Sequence, residues 1–409
     1  MPSAFESLAA LIQDPALARH AAARMEALRL HIADTLGMML HGASLSEGKA
    51  AMALCSPLVG WCACARLTEA DDIHLASLGS FKTWKDFATA VLAGYETLIR
   101  IGYAIDGPHI LFKKKRWPTL FAAPAGAAAV ACRAWKLNLA QTAGALGTAL
   151  ASSTGIAAPA MMPNSSRWIA LGHAAELGVY AAMTAKRPPA AAARRPSPFA
   201  RGTKELFLRL EKGGSWRSRQ GVIPDDVFVF DEISLKPYPI ARQALTAVEA
   251  CRQLVAGKAR DISAITVRVP AAQARVIDQP QWPSNRMQSI ASVQYQIALA
   301  LMFPERLMDI DRTPPFETKA LRALAAKVRV RVDPRLHRYY PEEWPAHVVV
   351  EWTGKRKSML LRSPRELRWE DVLLKSGPLL GPAQLAKKFN RAVAGILRGL
   401  AVPAPRQRS

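Results

Sequence analysis

The stretch ISAITVRVP, residues 262–270, marks the point where the hydrophobic pattern of this chain changes from a helical period to alternation. Alternating apolar and polar residues are typical of a β-strand with one buried face. The stretches AKVRVRVDP (326–334) and AHVVVEWTG (346–354) repeat the pattern, and a helical pattern at 289–303 lies between the first two strands. We therefore predict a smaller α+β domain over residues 257–375.

Before this domain, the chain has the hydrophobic pattern of one helix after another. Apolar residues recur at helical spacing in five segments, at 16–42, 84–104, 119–135, 139–157 and 167–186. Many apolar positions carry small residues, which lets helices pack closely. The pattern predicts a mainly α fold, with a large all-helical domain over residues 1–256 to which a helix at 382–401 returns.

A compositional break interrupts this helical domain at RPPAAAARRPSPFAR, residues 187–201. Its four prolines and four arginines remove any regular hydrophobic period. We predict a loop or a disordered insert there.

The composition indicates a globular protein of the cytoplasm. Of the 409 residues, 50% are apolar, which is enough to bury a sizeable core. The sequence shows no signal-peptide pattern and no uncharged apolar run long enough to span a bilayer. The five cysteines form no CxxC pair, so neither a disulfide framework nor a zinc site is indicated.

The formal net charge of +23 predicts an anionic partner. Basic residues are scattered along the chain, with denser clusters at 113–116, 194–195, 355–357 and 406–408. No zinc finger, RNA-recognition signature or basic region with a heptad zipper accompanies them, and basic clusters are usually solvated faces. A nucleic-acid partner is therefore not expected, and a polyanionic metabolite is the simpler interpretation.

The segment LTEADDIHL, residues 67–75, concentrates groups that could carry chemistry: Glu69, Asp71, Asp72 and His74. A metal site is disfavoured because a fourth ligand and a recognisable binding loop are missing. An acid–base site is chemically reasonable, since a histidine titrates near neutral pH and a positioned base can remove a proton beside a carboxylate. A capped, solvated helix start is the structural alternative.

Seven local strings resemble the MmgE/PrpD family, which includes 2-methylcitrate dehydratase and cis-aconitate decarboxylase. The strings follow the family's order: HIADTLGMMLHG (31–42), VLAGYETLIRIG (91–102), RWPT with an alanine-rich helix (116 onward), SRWIALGHAAELGVYAAM (166–183), SLKPYPIARQALTAVEA (234–250), SVQYQIALAL (292–301) and VRVDPRLHRYYPEEWPAHVVV (330–350). The resemblance implies a helical domain with a lid domain, an active site in the cleft between them, no metal or other cofactor, and a homodimer.

The same resemblance implies roles for individual residues. Asp71 and Asp72 correspond to the family's cleft-lining segment rich in aspartate and histidine, and His74 lies beside them. Lys236 matches the lysine of the family's KPYP string, and Arg167 stands where the family usually has a lysine. Such cations would neutralise a substrate with two or three carboxylates as it leaves water.

Four further residues complete the predicted site. Arg242 begins the helix after the KPYP string, and Trp117 and Thr119 lie in the RWPT string, so we predict contacts with the substrate. Tyr295 matches a family tyrosine of the lid and is a catalytic candidate. Its structural alternative is a core tyrosine with a hydrogen-bonded hydroxyl.

The chain also departs from the family at three places. Trp117 and Ala241 stand where dehydratase and decarboxylase members resemble one another in having histidines, and the 75–83 segment is shorter than usual. Neither tryptophan nor alanine can transfer a proton. His109 and His173 are alternative proton carriers, although a lone histidine on a helix is usually structural.

Three functional hypotheses follow. The first is a lyase or a related isomerase that removes a proton next to a carboxylate of a small di- or tricarboxylate, with a basic pocket stabilising the enolate-like charge. The second is a catalytically degraded family member that binds a carboxylate or serves as a scaffold. The third, favoured only by the net charge, is a basic nucleic-acid-associated protein.

Overall fold

The computed structural model describes residues 4–54, 81, 83–104, 117–153, 166–186, 217–218, 221–222, 227–256, 261–309, 316–340 and 342–375. The described residues form two compact units, of which the first ends at Ile233 and the second spans Ser234–Lys375. The first unit consists mainly of helices, and the second combines helices with a four-stranded sheet. The predicted mainly α fold with a smaller α+β part is therefore confirmed.

The first unit has eight helices in its described part. They are α1 (Ala4–Gln13), α2 (Leu17–Ala23), α3 (Met25–Ser44), α4 (Ser46–Leu54), α5 (Trp84–Ala104), α6 (Pro118–Ala134), α7 (Leu139–Ser152) and α8 (Ser166–Lys186). Of these, α1 and α4 were not predicted, and the other six follow the predicted segments. The predicted segment 16–42 comprises two helices, because Arg24 adopts φ −107° and ψ 14°, outside the helical range. A short hairpin, β1 (Arg217–Ser218) with β2 (Gly221–Val222), and a 3-10 helix (Val229–Glu232) follow.

Helix α6 lies in the core of this unit and packs against α5, α7 and α8. Eight of its 17 residues are alanines, and six of these have no exposed surface. At the contact with α8, a Cβ on Gly178 would overlap the carbonyl oxygen of Pro124. The close helix packing that the small residues predicted is therefore confirmed.

A buried ion pair joins α5 to the 3-10 segment. Arg100 Nε donates to Glu96 Oε2 over 2.9 Å, and these side chains are 2% and 0% exposed. Glu96 Oε1 accepts the backbone N–H of Phe230 at 2.8 Å, while Arg100 donates to the Val227 carbonyl at 2.7 Å. Burial raises the pKa of the Glu96 carboxyl, although the Phe230 N–H and the Arg100 charge act in the opposite direction.

The second unit contains six further helices and four strands in its described part. They are α9 (Arg242–Val255), β3 (Ile262–Val269), α10 (Ala271–Ile277), α11 (Arg286–Ala291), α12 (Val293–Met302), α13 (Lys319–Ala325), β4 (Val328–Val332), β5 (Ala346–Trp352), β6 (Lys355–Leu361) and α14 (Trp369–Lys375). The 3-10 helices Pro304–Met308 and Pro334–Tyr339 complete the unit. The predicted helix at 289–303 is divided at Ser292, whose side chain caps α12 by accepting the N–H of Tyr295.

The sheet has the strand order β4-β3-β5-β6. Strand β3 pairs in parallel with β4 and antiparallel with β5, and β6 pairs antiparallel with β5. The three predicted strands are therefore confirmed as β3, β4 and β5. Strand β6 was not predicted, because its sequence KRKSMLL does not alternate and its residues are mostly exposed.

One face of this sheet is buried under helices. Valine and isoleucine side chains of β3, β4 and β5 pack with α9, α12 and α13 in one apolar core. Since successive side chains of a strand point to opposite faces, the residues between these apolar positions form the other face.

The two units divide earlier in the chain than the sequence pattern predicted. We predicted a boundary between residues 256 and 257, whereas helix α9 packs against β5 and β6 within the second unit. The domain limits stay a prediction, because the 187–201 insert and the returning 382–401 segment lie outside the described residues. Among the described helices, none has the length and apolar character needed to cross a membrane.

Candidate functional site

The predicted acid–base residues Asp71, Asp72 and His74 lie outside the described residues. Their roles therefore stay predictions, and so does the alternative assignment of His109, which lies outside as well. In the part of the chain that the structure describes, no group of three or more His, Cys, Asp or Glu side chains is arranged to hold a metal ion.

Three predicted substrate-binding residues lie at helix starts in the first unit. Trp117 is the N-cap of α6, with φ −96° and ψ 122°, and its side chain is half-buried. Thr119 is half-buried in the first turn of the same helix. Arg167 lies in the first turn of α8, and its side chain is outside the described part. Helix starts expose backbone N–H groups, which favours anions near them.

The first unit also buries a histidine that we did not select from the sequence. His31 Nδ1 lies 3.2 Å from the hydroxyl oxygen of Tyr95, and both rings contact the ring of Phe230. This histidine belongs to the HIADTLGMMLHG string, one of the seven that resemble the family. Its enclosure among aromatic rings gives it a packing role, and His173, by contrast, is 62% exposed and lies 3.5 Å from Glu176.

In the second unit, the KPYP string is held firmly against the core. Lys236 is half-buried, whereas Pro237, Tyr238 and Pro239 are buried. Arg242 donates a hydrogen bond to the carbonyl of Ser234, two residues before the lysine. These contacts position the backbone that carries the Lys236 ammonium group.

By the family resemblance, Ala241 stands where other members have a histidine. It precedes α9 as its N-cap residue, with φ −58° and ψ 132°. Its N–H donates to the carbonyl of Ile290 at 3.1 Å, which ties the KPYP string to the end of α11. The backbone is ordered here, but the methyl group offers no proton-transfer chemistry.

Tyr238 lies at the centre of a charged cluster that sequence reasoning missed. Arg252 donates to its hydroxyl, which lies 3.4 Å from Glu249 Oε2. Arg365 donates two hydrogen bonds to Asp371, at 2.5 and 2.6 Å, and these bonds raise the pKa of its guanidinium. The Arg252 and Arg365 guanidinium carbons lie 5.4 and 5.7 Å from the Tyr238 ring centroid.

A cavity of about 510 Å³ opens beside this cluster. Its lining includes Glu249, Arg252, Ala300, Leu301, Pro304 and Arg365. An apolar floor with two guanidinium groups at its edge can accept a small anion, although both guanidinium groups already contact carboxylates. No sequence signal identified this cavity, because Arg252 and Arg365 are far apart in the chain and belong to no common string.

The catalytic candidate Tyr295 is enclosed in the core of the second unit. It is 1% exposed, and its hydroxyl donates to the carbonyl of Phe316 at 3.3 Å. Its ring packs edge-on against Trp282, with 5.3 Å between the centroids. This is the environment of the structural alternative, a core tyrosine with a bonded hydroxyl, and its catalytic role stays a prediction.

Family models match both parts of the chain. The model of the MmgE/PrpD N-terminal domain matches residues 61–195, and the model of the MmgE/PrpD C-terminal domain matches residues 238–398. The two matches follow each other in the chain and together cover most of it. This chain belongs to the MmgE/PrpD family. The N-terminal match includes the 71–74 segment and Arg167, and the C-terminal match begins two residues after Lys236.

A relative from Cupriavidus necator carries the name 2-methylcitrate dehydratase. It is 34% identical to this chain over 153 residues. The alignment covers 36% of this chain and 31% of the relative, so the chain matches about a third of the length of that protein.

Proposed function

We propose that this MmgE/PrpD chain is a dehydratase-type lyase that acts on a small di- or tricarboxylate. The observation that carries the proposal is the ordered match to both family domains, joined by the similarity to a protein named 2-methylcitrate dehydratase. In such a reaction a base removes a proton next to a carboxylate, an enolate-like charge develops, and water leaves from the neighbouring carbon. Inversion of a centre shares the proton-abstraction step, and loss of carbon dioxide passes through a similar carbanionic charge that is then protonated; these are the related outcomes.

The proposed base is His74 or one of the neighbouring aspartates, Asp71 and Asp72. A histidine with an ordinary pKa near neutrality can accept a proton from carbon and return it in the next cycle. Trp117 and Ala241 cannot take part in proton transfer, so the base must come from elsewhere in the chain. Tyr295 stays a catalytic candidate in this proposal, through its hydroxyl group.

The proposed substrate-binding residues are cationic or lie in the strings that match the family. Lys236 supplies a compact positive charge for a carboxylate, and its position is supported by the buried residues that follow it. Arg167 and Arg242 provide further donors, and Trp117 with Thr119 shape the substrate's apolar and hydroxyl contacts.

A catalytically degraded member is the second candidate function. The two histidine replacements favour it, since both positions have well-defined backbone geometry at helix N-caps yet carry side chains without an ionisable group. Such a protein would bind a carboxylate without turning it over.

The first experiment separates these two functions. The full chain is screened by thermal shift with di- and tricarboxylates, 2-methylcitrate among them, and each ligand that raises the melting temperature is then assayed for turnover. Formation of an unsaturated acid, followed by ultraviolet absorbance and mass spectrometry, is the expected result. Stabilisation without turnover of any ligand would support the degraded member.

The second experiment tests the residue roles. His74→Ala should lower kcat by about 10²- to 10⁴-fold, the usual contribution of a general base. Lys236→Met should mainly raise KM, because a fixed ammonium contacts the carboxylate in ground and transition states alike. His173→Ala is the matched comparison: both constants should be unchanged because this histidine is exposed, and a lowered kcat would make this alternative proton carrier the base. Turnover that survives His74→Ala would move the base to another residue.

We further propose that the lyase is a cytoplasmic homodimer. The cysteine spacing, which indicates no disulfide framework, supports the compartment, and the family resemblance supports the dimer. Light scattering coupled to size-exclusion chromatography measures the mass, and a species of one chain would contradict the dimer.

A further inference from the structure

The face of the β-sheet turned away from the helices carries a row of basic side chains. Arg268 of β3 pairs with Arg331 of β4 on one side and with His347 of β5 on the other. Arg329 occupies the next outward position of β4, beside Thr266. Directly paired residues share a face, and adjacent strands are about 4.8 Å apart, so these side chains are immediate neighbours.

The outward direction of this row follows from the buried core. The residues that alternate with it, Val267, Val269, Val330 and Val348, belong to the apolar core under the helices. Arg356 of β6 pairs with Glu351 of β5 in a parallel row on the same outward face. We call Arg268, Arg329, Arg331 and Arg356 together the arginine face.

Most of this positive charge is not neutralised locally. Arg329 and Arg331 are exposed, and Arg268 is half-buried. Within the described residues, no ion pair joins any of these three to a carboxylate. Of the acidic neighbours, Asp333 pairs with Arg335 at 2.8 Å and attracts Arg268 more weakly, and Glu351 lies 3.6 Å from Arg356 and offsets the charge of that member of the face.

The charge of the face acts on the histidine in its centre. The pKa of His347 is lowered, first by burial and then by the positive charge of Arg268; Asp333 acts in the opposite direction, and Arg335 and Arg356 lower the pKa by smaller amounts. His347 is therefore neutral at neutral pH and adds hydrogen-bonding capacity without further charge.

We propose that the arginine face binds the phosphate backbone of a nucleic-acid duplex without sequence preference. Guanidinium groups match phosphate oxygens with paired hydrogen bonds, and exposed arginines that have no carboxylate partner among the described residues can make them. The outward strand positions carry no Phe, Tyr or Trp, so the face offers no platform for stacking unpaired bases. A duplex presents its phosphates on the outside and needs no such platform.

This binding activity goes beyond the proposed lyase reaction and does not depend on it. An anionic membrane is the competing partner for a basic surface, but interfacial binding draws on apolar side chains that enter the lipid. Two outward strand positions carry large apolar residues: Val349 is buried, and Leu360 is exposed at the β6 end of the row that contains His347. The face therefore fits phosphate contacts better than insertion.

The test measures binding of the full chain to a fluorescent duplex of random sequence by anisotropy over a series of salt concentrations. The variant is Arg329→Gln/Arg331→Gln, at two exposed positions of an edge strand. Its matched control is Lys355→Gln/Lys357→Gln, which removes the same charge from the opposite edge strand. Lys357 pairs with Val350 of the core, so it lies on the other face of the sheet.

The arginine variant should weaken duplex binding roughly tenfold at moderate salt, while the lysine control binds like the parent chain. The slope of log K against log salt should flatten by about 0.9 for each lost phosphate contact, or roughly 1.8 for two. Equal weakening in both variants would overturn the proposal, because net charge rather than the arginine face would then explain binding. Binding to phosphatidylserine vesicles but not to duplex, or no duplex binding at all, would overturn it too.

Discussion

Replacing Arg100 by methionine should destabilise the first unit strongly, because it leaves the Glu96 carboxylate buried without its cation. The Glu96 side chain is 0% exposed and that of Arg100 is 2% exposed. The change removes the 2.9 Å bond between them and the 2.7 Å bond to the Val227 carbonyl. Methionine retains most of the aliphatic volume, so loss of charge and donors dominates the effect.

The expected loss is about 3–5 kcal/mol of unfolding free energy, the usual result of removing one partner of a buried ion pair. The Phe230 N–H still donates to the carboxylate but cannot neutralise it. Most of the expected loss in unfolding free energy is the cost of burying the charged Glu96 carboxylate without its compensating cation.

The loss should also depend on pH. The folded-state pKa of Glu96 is already raised above the ordinary 4.5, and removing Arg100 raises it further because the arginine lowers it. A raised carboxyl pKa means that the folded state holds the proton more tightly, so stability falls as pH rises from the unfolded pKa through the folded one. The deficit of Arg100→Met relative to the parent chain should therefore be larger at about pH 8 than at about pH 5.

Hydrogen–deuterium exchange in increasing urea, read from peptides of residues 84–104, measures this stability in the unit that holds the pair. The matched variant is Glu96→Gln/Arg100→Met, which removes both charges and should recover roughly 1–3 kcal/mol relative to the single variant at the higher pH. A deficit below about 1 kcal/mol, or one that is equal at both pH values, would refute the reasoning.

Two further predictions concern groups with shifted pKa values. Arg335→Ala should raise the pKa of the Asp333 carboxyl from about 2 toward its ordinary 3.8, because the Arg335 hydrogen bonds are the main cause of the low pKa. NMR titration of the carboxyl group measures this pKa, and an unchanged value would show that another group lowers it. The stability that Asp333 contributes is present above pH 3.8 and is lost as the pH falls toward 2. Cys132 and Cys251 should resist alkylation in the native chain and react once urea unfolds it, because burial raises both thiol pKa values to about 12. Mass spectrometry of the labelled peptides checks this, and rapid native labelling would show that the helices open readily.

The sequence alone predicted those helices and strands in which the spacing of apolar residues shows which face is buried. Alternation in 262–270 and 346–354 located β3 and β5, because a strand with one covered face must place apolar residues at every second position. Helical spacing located the long helices in the same way, and the seven strings were sufficient to indicate the family. Each of these signals is local and can be read from a short window.

The sequence did not predict structural features that depend on contacts with other parts of the chain. Strand β6 was not predicted, because it is an edge strand with a polar sequence. Backbone pairing with β5 stabilises it. The break at Ser292 was also missed, since the hydrophobic pattern continues through it while the serine side chain caps a new helix. Helix α9 packs against the sheet of the second unit, and the sequence did not show this contact because the apolar stripe of the helix is compatible with either a helix bundle or a sheet.

For the candidate site, sequence alone determined the family, the candidate residues and the two replaced histidines, because these depend on residue identity at matched positions. Tertiary structure alone decided that Tyr295 donates to a backbone carbonyl in the core, that Arg252 and Arg365 meet at Tyr238, and that three arginines of β3 and β4 form one surface. The physical reason is that a side chain's partner is set by strand register and helix packing. Those relations join residues distant in the chain, and no local pattern records them.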